Sequence, residues 1–128
     1  MPFQYIISPG ELLLDGKLFS KGYAGRGTGK NNPLMTYIKD TGPLPCGTYT
    51  IGDPYDHPQL GPICFNLSPD PSNEMFGRSL FRIHADSIAH PGEASHGCIV
   101  IDRTARQALA TLVKQGARVL TVLGSPIK

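Results

Sequence analysis

Glycine and proline interrupt this chain from end to end, and that punctuation limits it to short elements. Fifteen Gly and 12 Pro make up more than a fifth of the 128 residues and follow no period. Proline removes a backbone donor and glycine frees φ, so a chain of this kind turns often and builds short strands. The apolar content of 40% is enough for a core, which makes the punctuation a mark of turns rather than of disorder. A chain of this length forms one core, so residues 1–128 are one domain.

Read in order, Gln4 to Ser8 and Leu12 to Leu14 form an opening hairpin about Pro9-Gly10. Asp15-Gly16 turns the chain into a strand over Lys17 to Ser20, with a further turn expected at Gly22. Gly25 to Lys30 has the glycines and the Lys of a phosphate loop but not its spacing, and Asn31-Asn32-Pro33 breaks any helix after it; we read a loop bordering a cleft. Gly47 to Ile51 and Cys64 to Leu67 are strands, and residues 52–62 between them are expected to be loop. Asp102 caps an amphipathic helix in which Ala105, Leu109, Leu112 and Val113 share a face, and Gly116 stops it. Arg118 to Leu123 is a closing strand.

The chemistry concentrates in Phe81-Arg82-Ile83-His84 and in Ser95-His96-Gly97-Cys98-Ile99-Val100-Ile101. Alternation places Phe81 and Ile83 on one face of a strand, and Arg82 and His84 on the other, where the imidazole would face a cleft. A cysteine attacks as its thiolate, and a neighbouring imidazole is the usual means of making one. Gly97 allows close approach of the backbone, and the amides of Gly97 and Cys98 could receive a developing oxyanion. His96, two residues from Cys98, competes with His84 for the role of base, and a free cysteine can equally be an inert core residue. His84, Asp86, His90, His96 and Cys98 lack the close ligand pairs of zinc sites, so we expect no metal and no cofactor.

His84 followed by Ser95-His96-Gly97-Cys98 and an apolar run resembles the active-site signature of L,D-transpeptidase catalytic domains. Asp15-Gly16-Lys17, Gly22-Tyr23, Asn31-Asn32-Pro33, Gly42-Pro43-Leu44-Pro45, Gly47 to Gly52, Phe76-Gly77-Arg78-Ser79 and Ser95 to Ile99 are similar to the type VI secretion effectors of that family. His96 departs from that branch and returns to the general pattern. The resemblance implies a mainly β, L,D-transpeptidase-like β-sandwich or open barrel with one amphipathic helix near the C-terminus. It implies Cys98 as nucleophile, His84 as base, the carbonyl of Ala85 as the third member and Gly97 at the oxyanion. His96, Ser95 and Asp86 would support them, with Ser95 and His96 also touching substrate and Asp86 an alternative to Ala85 for orienting the ring. Independently of the resemblance, Arg82 and Arg78 could bind the carboxylates of an acidic stem peptide through bidentate pairs, and Asn32 is a further candidate substrate contact.

The implied substrate is the tetrapeptide stem of peptidoglycan, cut or exchanged at its terminal D-Ala. The implied partners are secretion machinery and a cognate immunity protein over the cleft. The net charge of +2 is scattered, with no basic run, so we expect no nucleic-acid partner. No apolar run is long enough to span a membrane, and Met1-Pro2-Phe3-Gln4 does not open a signal peptide. The expectation is a protein made in the cytoplasm, exported, and active in the periplasm of a target bacterium. In that compartment Cys46 and Cys64 could pair and leave Cys98 free; two reduced cysteines are the alternative. A non-catalytic peptidoglycan-binding module and a metal-dependent hydrolase are the rival functions.

Overall fold

The computed structural model of the chain describes residues 2–126. Strand β1 (Phe3–Ile6) turns through Pro9 and Gly10 into β2 (Glu11–Leu14), which pairs with it antiparallel. Asp15 and Gly16 both take positive φ, as the tight turn of a two-residue hairpin requires, and lead into β3 (Lys17–Ala24). The turn expected at Gly22 is absent, and β3 runs through it. Gly22 pairs with Ile101, where a Cβ would collide with the carbonyl oxygen of Val100, so the missing side chain serves close strand approach.

Beyond a long loop come β4 (Gly47–Ile51), β5 (Tyr55–His57) and β6 (Gly61–Pro69). The loop expected over residues 52–62 therefore holds a short hairpin. Three-residue β5 is too brief to show alternation, and the hairpin is closed by His57, whose Nδ1 accepts the amides of Gln59 and Leu60. Then follow β7 (Arg82–His84), β8 (Ile99–Ile101), helix α1 (Arg103–Lys114) and β9 (Val119–Leu123).

Hydrogen bonding runs in the order β4, β9, β1, β2, β3, β8, β7, β6, and β6 pairs back onto β4. The eight strands thus close into a barrel, with β5 added beside β6. The fold is mainly β with one α-helix among the described residues, as expected from the sequence. Closure removes the exposed edges that short strands would otherwise offer. The pairs β1–β9 and β7–β8 are parallel. Phe3, Tyr5, Tyr49, Ile51, Phe65, Ile83, Ile99 and Leu120 are fully or almost fully buried in one continuous core. Helix α1 starts where Asp102 accepts the amide of Ala105 at 2.8 Å, and it contributes Ala105, Leu109 and Val113 to that core.

Candidate active site

The parallel β7–β8 pair sets the site. Ile83 lies opposite Ile99 and both are fully buried, so alternation turns Arg82 and His84 of β7, and Cys98 just before β8, to the other face. Cys98 is half-buried, and its Sγ accepts the backbone amide of Arg82 at 3.3 Å. It lines a 330 Å³ pocket with Lys39, Asp40, Arg78, Leu80, Phe81 and His96. A second, broader groove of 960 Å³ runs past Ala85, Asp86 and Arg26, and His96 borders both.

His84 does not stand open in a cleft, because only 2% of it is exposed. The α1 residue Arg106 lies close enough to act on the ring electrostatically, and it is itself buried, donating to the carbonyls of Ile101, Pro62 and Ile63. The ring nitrogen Nδ1 lies 2.7 Å from the carbonyl oxygen of Ala85, so Nδ1 carries the proton and Nε2 keeps its lone pair. Burial pushes the His84 pKa below its ordinary value. The Ala85 carbonyl opposes that shift, while Arg106 and Arg82 add to it.

Burial likewise pushes the Cys98 thiol up, against the pull of the Arg82 amide and guanidinium. At rest the couple is therefore a neutral thiol and a neutral imidazole. No hydrogen bond joins Sγ to the His84 ring among the described residues; the group held against the sulfur is the amide of Arg82.

Ser95 is fully buried and cannot touch substrate. Its hydroxyl donates to the Cys98 carbonyl at 2.5 Å and accepts the amides of Gly25 at 2.9 Å and Gly97 at 3.1 Å. One side chain thereby buckles the Cys98 segment to the end of β3. The Gly97 amide is consumed in this buckle, which corrects its expected place at the oxyanion; the amide of Cys98 is the donor left. Gly97 has φ of +138°, and a Cβ there would lie 2.7 Å from both the Arg78 guanidinium and the Phe81 ring.

Arg78 is not a substrate fork either. It is 8% exposed, and its Nη1 and Nη2 donate to the carbonyls of Thr36, Pro43, Gly42 and His96, which uses all four terminal hydrogens. A cation anchored this way ties the 36–43 loop to the residue before Gly97. Asn32 is a cap: its Oδ1 accepts the Leu34 amide and its Nδ2 donates to Thr28, so it shapes its own loop rather than a substrate contact. Asn31 anchors the same loop, accepting from Ala24 and donating to Pro9.

Asp86 does not orient the His84 ring. Its carboxylate accepts from Tyr23 Oη at 2.6 Å and from the amides of Ser87 and Gly92, closing the loop after β7. Burial alone would raise its pKa, but these bonds and the Lys30 ammonium outweigh it and hold the carboxyl low. His96 is exposed, its Nε2 3.3 Å from Nη1 of Arg26. Cys46 is exposed and Cys64 buried, and both are free thiols, so no disulfide joins them.

The sequence reading missed Arg106, Tyr55 and Asn66, and gave Tyr23 no role at the site. Of these only Arg106 carried a signal, since it falls on the apolar stripe of α1, three residues before Leu109 and seven before Val113.

The sequence model of the Tlde1 domain matches residues 19–124. The chain belongs to the Tlde1 domain family. The matched part of this Tlde1 domain takes in Cys98, His84, Ser95 and the whole of α1. Strands β1 and β2 precede the match, yet the barrel closes only through them. No curated protein matches the chain.

Proposed function

We propose that this Tlde1 domain is a cysteine enzyme acting on peptidoglycan tetrapeptide stems, as an L,D-carboxypeptidase, an L,D-transpeptidase exchanging D-amino acids, or both. The observation that carries the proposal is the pairing of the pocket-lining Cys98 thiol with His84 on one sheet face, the imidazole held by Ala85 in the tautomer that can take a proton. The resting separation closes when substrate enters, since catalytic hydrogen bonds commonly tighten only in the complex.

In this reading Nε2 of His84 takes the thiol proton as Sγ attacks the carbonyl carbon after the L-centre of the third stem residue. The Cys98 amide receives the oxyanion. Collapse of the adduct breaks the C–N bond, and the imidazolium returns its proton to the departing D-Ala amine, leaving a thioester. Water then gives the trimmed stem, a free D-amino acid gives exchange, and a second stem gives a cross-link. The small domain suits trimming or exchange by an antibacterial effector working in the periplasm of a target cell. Its partners would be type VI secretion machinery and an immunity protein seated over the Cys98 pocket. Among the described residues no helix is long and apolar enough to cross a membrane.

The test is mass spectrometry of purified tetrapeptide muropeptides incubated with wild type and with Cys98→Ala. Release or exchange of D-Ala by wild type alone supports the enzyme, and release by both proteins removes Cys98 from the mechanism. The missing bond between Sγ and the His84 ring favours one rival, a binding module with an inert thiol. Stem binding without turnover, together with a native Cys98 that resists thiol reagents, would establish that rival.

A further inference from the structure

Tyr55, on the short strand β5, reaches over β6 into the row of side chains that carries the thiol. Along the sheet, Tyr55 pairs with Cys64, and Asn66 pairs with Arg82, whose amide holds Sγ of Cys98. The Arg82 Nε–H donates to Tyr55 Oη at 2.9 Å, and that same oxygen lies 2.7 Å from Oδ1 of Asn66. Arginine can only donate, so the phenol accepts from it and sends its single proton to Asn66. The chain Arg82 to Tyr55 to Asn66 therefore has one direction.

The consequence concerns the other end of the guanidinium. Nε is fixed, while Nη1 and Nη2 of Arg82 have no acceptor among the described residues. Of the other arginines built into this region, Arg78 spends both Nη groups on backbone carbonyls, and Arg106 its Nη1 and Nε. Arg82 is thus a half-buried cation close enough to Cys98 to act on its thiol, held at Nε and with its two Nη groups unoccupied among the described residues. A planar fork of this kind matches a carboxylate through two parallel hydrogen bonds.

We propose that Tyr55, backed by Asn66, is a positioning residue that holds the Arg82 fork for the C-terminal carboxylate of a bound peptide. The site then selects the end of a chain over an internal amide. The inference rests on the reading of Cys98 as a peptide-cleaving nucleophile. A residue leaving from a chain end carries its carboxylate next to the scissile bond, within the span of a cation that neighbours the nucleophile. Without the phenol, Nε loses its acceptor and the guanidinium is free to swing into solvent.

The experiment compares a stem tetrapeptide ending in free D-Ala with the same peptide ending in D-Ala carboxamide. Calorimetric titration uses Cys98→Ala with and without Tyr55→Phe, and turnover of both peptides is measured for wild type, Tyr55→Phe and Arg82→Gln. Cys98→Ala should bind the acid about tenfold or more tightly than the amide, the scale of a charge-assisted pair. Tyr55→Phe should erase most of that ratio by weakening the acid alone, and should raise KM for the acid with kcat less affected. Arg82→Gln should abolish the preference for the acid in turnover.

A Tyr55→Phe protein that weakens acid and amide alike, or leaves the ratio intact, overturns the proposal. Absence of turnover by wild type on either peptide would instead overturn the nucleophile reading, and the binding ratio would still decide the role of Tyr55.

Discussion

Nδ1 of His84 sits 2.7 Å from the carbonyl oxygen of Ala85, the next residue in its own chain, so the backbone itself sets the tautomer of the ring. A neighbouring carboxylate would raise the basicity of the imidazole; a neutral carbonyl does so less, and burial wins. The neutral ring is the form that can accept a proton from Cys98.

The pH dependence follows from that. Because the folded pKa of His84 is lowered, the acid limb of kcat/KM on stem peptides should be centred below pH 6.5, the ordinary histidine pKa being about 6.5. An acid limb centred above 6.5 would remove His84 as the base.

Stability should follow the same group with a definite sign. Between the lowered folded pKa and about 6.5 the unfolded chain binds more protons, so stability falls as pH drops through about 6.5 and levels off once the folded ring is also protonated. Asp86 and Asp70, held below the ordinary carboxylate range, act separately, below about pH 4. Thermal unfolding from pH 8 to 5 should show the first step in wild type and not in His84→Gln.

Removal of the Ser95 hydroxyl strands the amides of Gly25 and Gly97 and frees the Cys98 carbonyl. At about 1–3 kcal/mol for each of the two buried donors left unpaired, Ser95→Ala should lose about 2–6 kcal/mol, seen as a midpoint shift in urea with an unchanged slope. The proposed activity should fall as well, since the Cys98 segment loses its tie to β3. A fully active Ser95→Ala protein would contradict the buckle.

Arg78→Lys keeps the charge but offers three donors from a point in place of a planar fork. It cannot span the carbonyls of Thr36, Pro43, Gly42 and His96, so a loss of about 3 kcal/mol or more is expected by the same measurement. If Arg78 bound substrate instead, Arg78→Lys would raise KM and leave the unfolding midpoint in place.

Much of this domain was legible in its residues because the signals are local. Asp15-Gly16 demands positive φ at both positions, Asp102 caps, and the 3.6-residue spacing of Ala105, Leu109 and Val113 writes out a helix face. Alternation over residues 81–84 assigns Ile83 to the core by the same short-range logic. The sequence by itself thus determined the mainly β class, most of the elements apart from β5 and the run of β3 through Gly22, and the few residues able to do cysteine chemistry.

What only the tertiary structure decided is which polar groups are already occupied. Ser95 closes onto Gly25 across 70 residues, Arg78 spans to Thr36, and Arg82 meets Tyr55 through the hydrogen bonds of two neighbouring strands. A guanidinium in the sequence carries the same five donors whether four backbone carbonyls or none await it. Hydrogen-bond occupancy depends on strand register and barrel closure, which bring distant carbonyls to a side chain. Those long-range contacts made Arg78 a brace and left the fork of Arg82 free.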